Sequence, residues 1–288
     1  MHMKKYQTGI IEENTSSEMF LLFNLADTTK LLDVLTTLSK VVDESHAVVG
    51  FGNKMMTYFP KVDKYEQHQF NSPLMSDEAG FDLAIWLKND DKGKLFHHAL
   101  KLRNLLDGTF ALQKTVASYA YRKNFDLSDF EDGIENPQGD DMLPVAIADD
   151  GSSFWVLQQW QHDFAWLERA PQATKEACIG RSMDDSHQLD DLPESAHVKK
   201  SAKENFTPEA ELLRKSMPWS DDQLNGGLMF SAFGHSFRAF NLQMASMLGI
   251  DDNIHDGVFK FSKILNTSYL WCPPSVDGGL DLSLLEIK

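Results

Sequence analysis

Apolar positions along the chain switch between short unbroken runs and stretches with helical spacing. Met19-Phe20-Leu21-Leu22-Phe23-Asn24-Leu25 is a run ended by a polar turn, as a buried strand would be. Leu31, Leu32, Val34, Leu35, Leu38, Val41 and Val42 then recur at helical spacing, with Asp27 or Thr28 expected as the cap. His46-Ala47-Val48-Val49-Gly50-Phe51-Gly52 and Phe81-Asp82-Leu83-Ala84-Ile85-Trp86-Leu87 read as strands. Residues 94–106 read as an amphipathic helix with Leu95, Leu100, Leu102 and Leu105 on its core side, and residues 109–121 as a returning strand. The order β, α, β, β, α, β is the split βαβ unit of ferredoxin-like folds.

A looser version of this order follows. Phe154-Trp155-Val156-Leu157-Gln158-Gln159-Trp160 predicts a strand, and residues 171–180, opening on Pro171, a short helix. Strands are expected at His197-Val198 and at Gly227-Leu228-Met229-Phe230-Ser231-Ala232-Phe233. Phe237, Phe240, Met244, Met247 and Leu248 form a helical core stripe stopped by Gly249. Residues 184–194 are an acidic loop, expected to run near the functional site because His197 follows it. The expected fold class is α+β, with two ferredoxin-like halves and antiparallel sheets. Residues 1–145 and 146–288 form the expected halves.

Composition narrows the function classes. With 43 acidic residues against 27 Lys and Arg, the 288-residue chain has a formal charge of −16. Such a surface repels nucleic-acid phosphates and anionic lipid, so neither is an expected partner. No apolar run approaches the roughly 20 residues that span a bilayer. The start, Met1-His2-Met3-Lys4-Lys5-Tyr6, lacks the apolar centre of a signal peptide. Two distant thiols, Cys178 and Cys272, fit a reducing compartment. A cytoplasmic location and homo-oligomeric assembly are expected.

The histidines form no HxH, HExxH or His/Cys cluster of the zinc or non-haem iron kind. A lone imidazole such as His197 nevertheless suffices as the protein ligand of a b-type haem. Read singly, Asp132 is a loop acid bonding nearby backbone N–H groups, and Arg214 a salt-bridge partner for Glu209 or Glu211. The tryptophans Trp155, Trp160, Trp219 and Trp271 read first as core aromatics and second as electron relays.

Together, three segments resemble the dye-decolourising peroxidase family. Phe130-Glu131-Asp132-Gly133-Ile134-Glu135-Asn136-Pro137 is similar to its GxxDG loop, with Ser128 or Asp129 where the first glycine belongs. Ser195-Ala196-His197-Val198 resembles the segment of the iron-ligating histidine, and Leu213-Arg214-Lys215-Ser216-Met217-Pro218 that of the distal arginine. Phe154–Asp163 and Ile179-Gly180-Arg181 match between them, and the likeness spans roughly residues 8 to 275, closest to a short bacterial subgroup.

The resemblance implies one non-covalent haem b per chain in the C-terminal half, with His197 as the iron ligand. It implies that Asp256 contacts His197, that Asp132, Gly133, Ile134 and Arg214 surround the opposite face, and that Ser216 orients the peroxide. It further implies a hydrogen peroxide-dependent peroxidase that oxidises phenolic or dye-like aromatic donors in one-electron steps, favoured by acidic conditions because the base is a carboxylate. A haem-handling protein (storage, sensing or iron release) is the alternative. Some relatives end in a Gly/Leu-rich peptide that docks in an encapsulating shell protein. Here residues 278–288 follow Cys272-Pro273-Pro274 closely, so a final strand or docked tail is the stronger expectation.

Overall fold

A computed structural model describes residues 6–42, 47–63, 65–122 and 124–287. Residues 1–5 and His46, parts of the predicted start and second strand, lie outside them.

The first half is β1 (Ser17–Leu25), α1 (Leu31–Val41), β2 (Ala47–Gly52), β3 (Leu83–Lys88), α2 (Lys92–Leu106) and β4 (Phe110–Tyr119). Each element overlaps its predicted span, with Ala99 and Leu106 of α2 buried and the expected Leu100 and Leu105 only half-buried, but α1 begins differently. Its N-cap is Lys30 with no capping side chain, because Asp27 turns back onto Thr29 instead, accepting from its N–H at 2.7 Å and its hydroxyl at 2.5 Å. Asp91 caps α2, accepting from Gly93 and Lys94 N–H.

A short helix, α3 (Met142–Ala146), leads to β5 (Ser153–His162), α4 (Phe164–Arg169), α5 (Gln172–Ile179) and α6 (His197–Lys200). Then come β6 (Leu213–Arg214), β7 (Met217–Ser220), β8 (Gly226–Gly234), α7 (Arg238–Met247) and β9 (Ser262–Cys272), and finally the hairpin β10 (Ser275–Val276) with β11 (Gly279–Leu280). The strand expected at His197-Val198 is a helical turn. Lys199 and Lys200 N–H both bond Ala196 O, and Ser201 N–H bonds His197 O. Two apolar-leaning residues carry no strand period, and Lys200 anchors the turn to Asp252 at 2.6 Å.

The first half pairs in the order β4-β1-β3-β2 and the second as β9-β5-β8-β7, each the antiparallel order of a ferredoxin-like unit. Contacts β2–β9 (Phe51↔Trp271) and β4–β7 (Ser118↔Trp219) join the two into one closed circuit. Inside it Phe20, Trp86, Trp155 and Phe233 pack together, with Trp155 and Phe233 stacked at 5.5 Å. Outside it, Leu35 and Leu38 of α1, Leu95 and Leu102 of α2, and Phe240 and Met244 of α7 cover the opposite face. Strands covered on both faces lose the alternation of a half-exposed sheet, which is why they read as unbroken apolar runs. No helix among the described residues is long and apolar enough to cross a membrane. The chain end packs on the first half, with Glu286 N–H on Tyr58 O and its carboxylate on Lys61.

Candidate active site

The loop after β4 takes its shape from its own turn residues. Asp126 accepts from Ser128 N–H at 3.1 Å and its hydroxyl at 2.5 Å. Asp129 holds φ at 66° and Gly133 at 77°. Both are left-handed, a region open to glycine and tolerated by aspartate. Asp129 therefore adopts a backbone suited to the glycine missing from the GxxDG pattern, and its carboxylate pairs with Tyr121 and Arg122. Between these turns Asp132 N–H bonds Asn124 O at 2.8 Å. Asn136 closes the loop on β6: its Nδ2 donates to Arg214 O at 2.6 Å and its Oδ1 accepts from Arg214 N–H at 2.9 Å. One amide thus couples the predicted acid loop to the predicted arginine.

Arg214 takes neither Glu209 nor Glu211, because Lys203 holds both. Its Nε is buried without a partner. Among the described residues the Asp132 side chain also makes no hydrogen bond, so the reading of it as a backbone-bonding loop acid is not met.

His197 opens α6, which packs on Gly180 at the end of α5. Gly180 has φ 92°, and a Cβ there would collide with Val198. The imidazole Nδ1 meets Asp256 Oδ2 at 2.8 Å, and Asp256 Oδ1 accepts from Val258 N–H at 2.8 Å. Asp256 is buried. Burial alone would lower the imidazole pKa, but the Asp256 carboxylate outweighs it and holds His197 above the ordinary histidine range. Nε2 is left available beside the cavity.

Asp132, His197 and Arg214 together line two adjoining cavities. The first has an apolar wall that includes Phe130, Trp160, Phe230 and Phe261. The second is polar, with Gly133, Ile134, Arg181 and Lys203 on its wall. Arg181 pairs with Glu135 at 2.6 Å, and residues 185–188 of the acidic loop border the outer opening. Ser216 lines neither cavity; its hydroxyl faces Ser231 N–H at 3.4 Å. Trp160 is on the wall, whereas Trp155 lies inside the strand circuit.

Sequence reasoning missed a buried pair on the apolar wall. His162 Nε2 meets Asp126 Oδ1 at 3.0 Å, and its Nδ1 meets Ser262 Oγ at 2.9 Å. Burial pushes the Asp126 carboxyl up, but His162 and the Ser128 hydrogen bonds outweigh this and hold it below the usual carboxylate range. The Asp-x-Ser spacing signals a turn, but nothing local points across to His162.

Known proteins of similar sequence and fold share one family. Residues 123–277 match the family model described as "Dyp-type peroxidase, C-terminal". A dye-decolorizing peroxidase of Rhodococcus erythropolis is 29% identical over 147 residues, covering 48% of this chain and 43% of that protein. One from Mycolicibacterium paratuberculosis is 26% identical over 207 residues, covering 68% and 58%. The chain thus spans about half the length of these curated relatives. Among solved structures, a dye-decolorizing protein from V. cholerae superposes with a TM-score of 0.83 at 23% identity, covering 92% of this chain and 96% of the other. A dyp-type peroxidase protein from Shewanella oneidensis gives 0.85 at 24%, covering 96% and 98%. DypB of Rhodococcus jostii, in a variant complexed with heme, gives 0.80 at 20%, covering 95% and 97%. These structural likenesses establish the fold.

Proposed function

Because the chain belongs to the Dyp-type peroxidase family, we propose that it is a haem b peroxidase using hydrogen peroxide to oxidise phenolic or dye-like aromatic donors in one-electron steps. The His197–Asp256 pair, set in a cavity shared with Asp132 and Arg214, is the observation that carries the reading. In it, residues 1–145 end in the acid loop and residues 146–288 supply His197, Arg214 and Asp256.

The residues present fit a haem. His197 offers Nε2 to the cavity while Asp256 occupies Nδ1, the arrangement that fixes a ligating imidazole and raises its basicity. The orphaned Nε of Arg214 suits a site that gains an acceptor when filled. The apolar wall suits a porphyrin edge, and the polar cavity with Arg181 and Lys203 suits its carboxylates. When bound, haem supplies the iron that exchanges electrons with peroxide and donor.

The chain's own residues handle the proton and the charge. Asp132, free of other partners, takes a proton from one peroxide oxygen and delivers it to the departing one. The Arg214 guanidinium offsets negative charge that develops as the O–O bond breaks. Asn136 keeps Arg214 and the Asp132 loop in one register. Ser216 takes no part, since its hydroxyl is turned to β8.

The test is the absorption spectrum of the purified protein with hemin, before and after one equivalent of hydrogen peroxide. The expected result is a sharp Soret band lost in His197→Ala, with a peroxide-dependent shift in the wild type. Asp132→Asn and Arg214→Leu are expected to keep the band and lower turnover by about 10²- to 10⁴-fold. A Soret band with no peroxide response would replace this reading with haem handling. No specific haem binding would sink both.

A further inference from the structure

Resting on the peroxidase reading, we propose that Asp126 and His162 are positioning residues that hold the loop bearing Asp132 in its working geometry. The loop segment 126–136 is tied to the second half at both ends by side chains. Asn136 ties its far end to β6, and Asp126 ties its near end to His162 at the close of β5. Asp132 lies between the two ties.

The near tie is built as a chain. Ser262, at the start of β9, meets His162 Nδ1 at 2.9 Å, and His162 Nε2 meets Asp126 Oδ1 at 3.0 Å. Asp126 Oδ2 receives Ser128 N–H and hydroxyl, its N–H bonds Phe130 O, and its carbonyl accepts Asp129 N–H. The bridge Phe125↔Glu131 then brings the chain directly to Asp132. The His162 side chain therefore reaches Asp132 through Asp126 and one turn of backbone, and among the described residues its hydrogen-bond partners are Asp126 and Ser262.

Placing a carboxylate and an imidazole in this wall is costly unless every polar atom is satisfied. Both are buried, and all four of their side-chain polar atoms are bonded. An apolar pair would fill the same volume without that demand. What the polar pair adds is direction: two strong hydrogen bonds fix where Asp126 sits, and so where the turn leaves it. The wall behind is rigid, with His162 edge-on to Phe164 at 6.0 Å and Phe261 at 5.9 Å.

The test compares wild type with His162→Phe, His162→Gln and Asp126→Asn. It reads amide hydrogen exchange over residues 124–136 in haem-free protein, the Soret band with hemin, and peroxide-dependent oxidation of a methoxyphenol. His162→Phe removes the donor to Asp126. It is expected to speed exchange in the loop about tenfold, the equivalent of one lost hydrogen bond. Its kcat is expected to fall about 10- to 100-fold with the Soret band kept, since small misplacements of a reacting group cost that much. His162→Gln, which keeps an N–H that reaches Asp126, is expected to restore most of both.

Wild-type exchange and turnover in His162→Phe would overturn the inference. So would equal impairment of the Phe and Gln variants, which would make the role one of packing. Should His162→Phe fail to fold, Asp126→Asn decides. It keeps the shape and removes the charge, and is expected to speed loop exchange and lower kcat; no change in either would overturn the inference. A wild type that binds hemin without turning over peroxide would sink the peroxidase reading, while the exchange data would still decide the positioning role.

Discussion

Asp129 shows how a single residue can break a sequence pattern and keep its geometry. The family pattern has glycine ahead of the Asp-Gly pair, and this chain places an aspartate at φ 66° there, steadied by Tyr121 and Arg122. The expected outcome is that Asp129→Gly leaves peroxide turnover within about twofold, because the backbone is already one glycine adopts freely. Asp129→Val, β-branched at positive φ, is expected to cost about 1–3 kcal/mol in urea unfolding and to disorder the loop. At His197, the Asp256 carboxylate was legible from family likeness, but the 2.8 Å contact spans 59 residues that no local rule connects. Asp256→Asn keeps an acceptor without the charge, and hemin titration is expected to show a 10- to 100-fold weaker affinity.

Elements place these groups, and the short ones matter most. α6 carries His197 on a single turn, held by the Lys200–Asp252 pair and by contact with Gly180. Gly180→Ala meets both a positive φ and a collision with Val198, so the cost expected from thermal or urea unfolding is at least about 1–2 kcal/mol. Because the displaced contact lies one residue from His197, hemin affinity is expected to fall with it, unlike an equal destabilisation placed elsewhere. The long elements were readable from periodicity: β1, α2, β5, β8 and α7 sit where their apolar patterns put them. α6 was not, because four residues hold no period. β6, β7 and β9 escaped as well, since apolar and polar residues mix along them and pairing with β8 or β5 decides their state.

At the scale of the molecule, closing the two sheets into one circuit buries polar groups that a single open sheet would leave wet. Glu18 and Lys88 face the interior beside Trp86, whose Nε1 donates to Glu18 at 2.8 Å and whose ring lies 4.1 Å under Lys88 Nζ. Burial pushes the Glu18 carboxyl up to about 8 despite the nearby Lys88. A carboxyl with a raised folded pKa favours folding most below its unfolded value. That contribution is lost as pH rises through the folded value, here from about 4.5 to 8. Lys88, lowered by burial from 10.5 to about 8, acts chiefly above that window. Urea unfolding across pH 4.5–8 is therefore expected to show wild type losing stability relative to Glu18→Gln as pH rises. A difference that stays flat would mean Glu18 titrates normally.

What the sequence alone determined is what neighbours in the chain determine. Apolar periodicity specified the long strands and helices and the β, α, β, β, α, β order of the first half, and turn residues specified the loop around Asp132. The family likeness of three short motifs picked out Asp132, His197 and Arg214, and that of the stretch before Phe259-Lys260-Phe261 picked out Asp256, before any of them had a position. Tertiary structure alone decided the closed circuit of strands, the Asn136 tie between loop and arginine, the Asp126–His162 anchor and the withdrawal of Ser216 from the cavity. Each depends on a contact between residues tens of positions apart, or on a hydroxyl's direction set by the opposite strand. The free energy that selects such contacts comes from packing and desolvation across the whole fold.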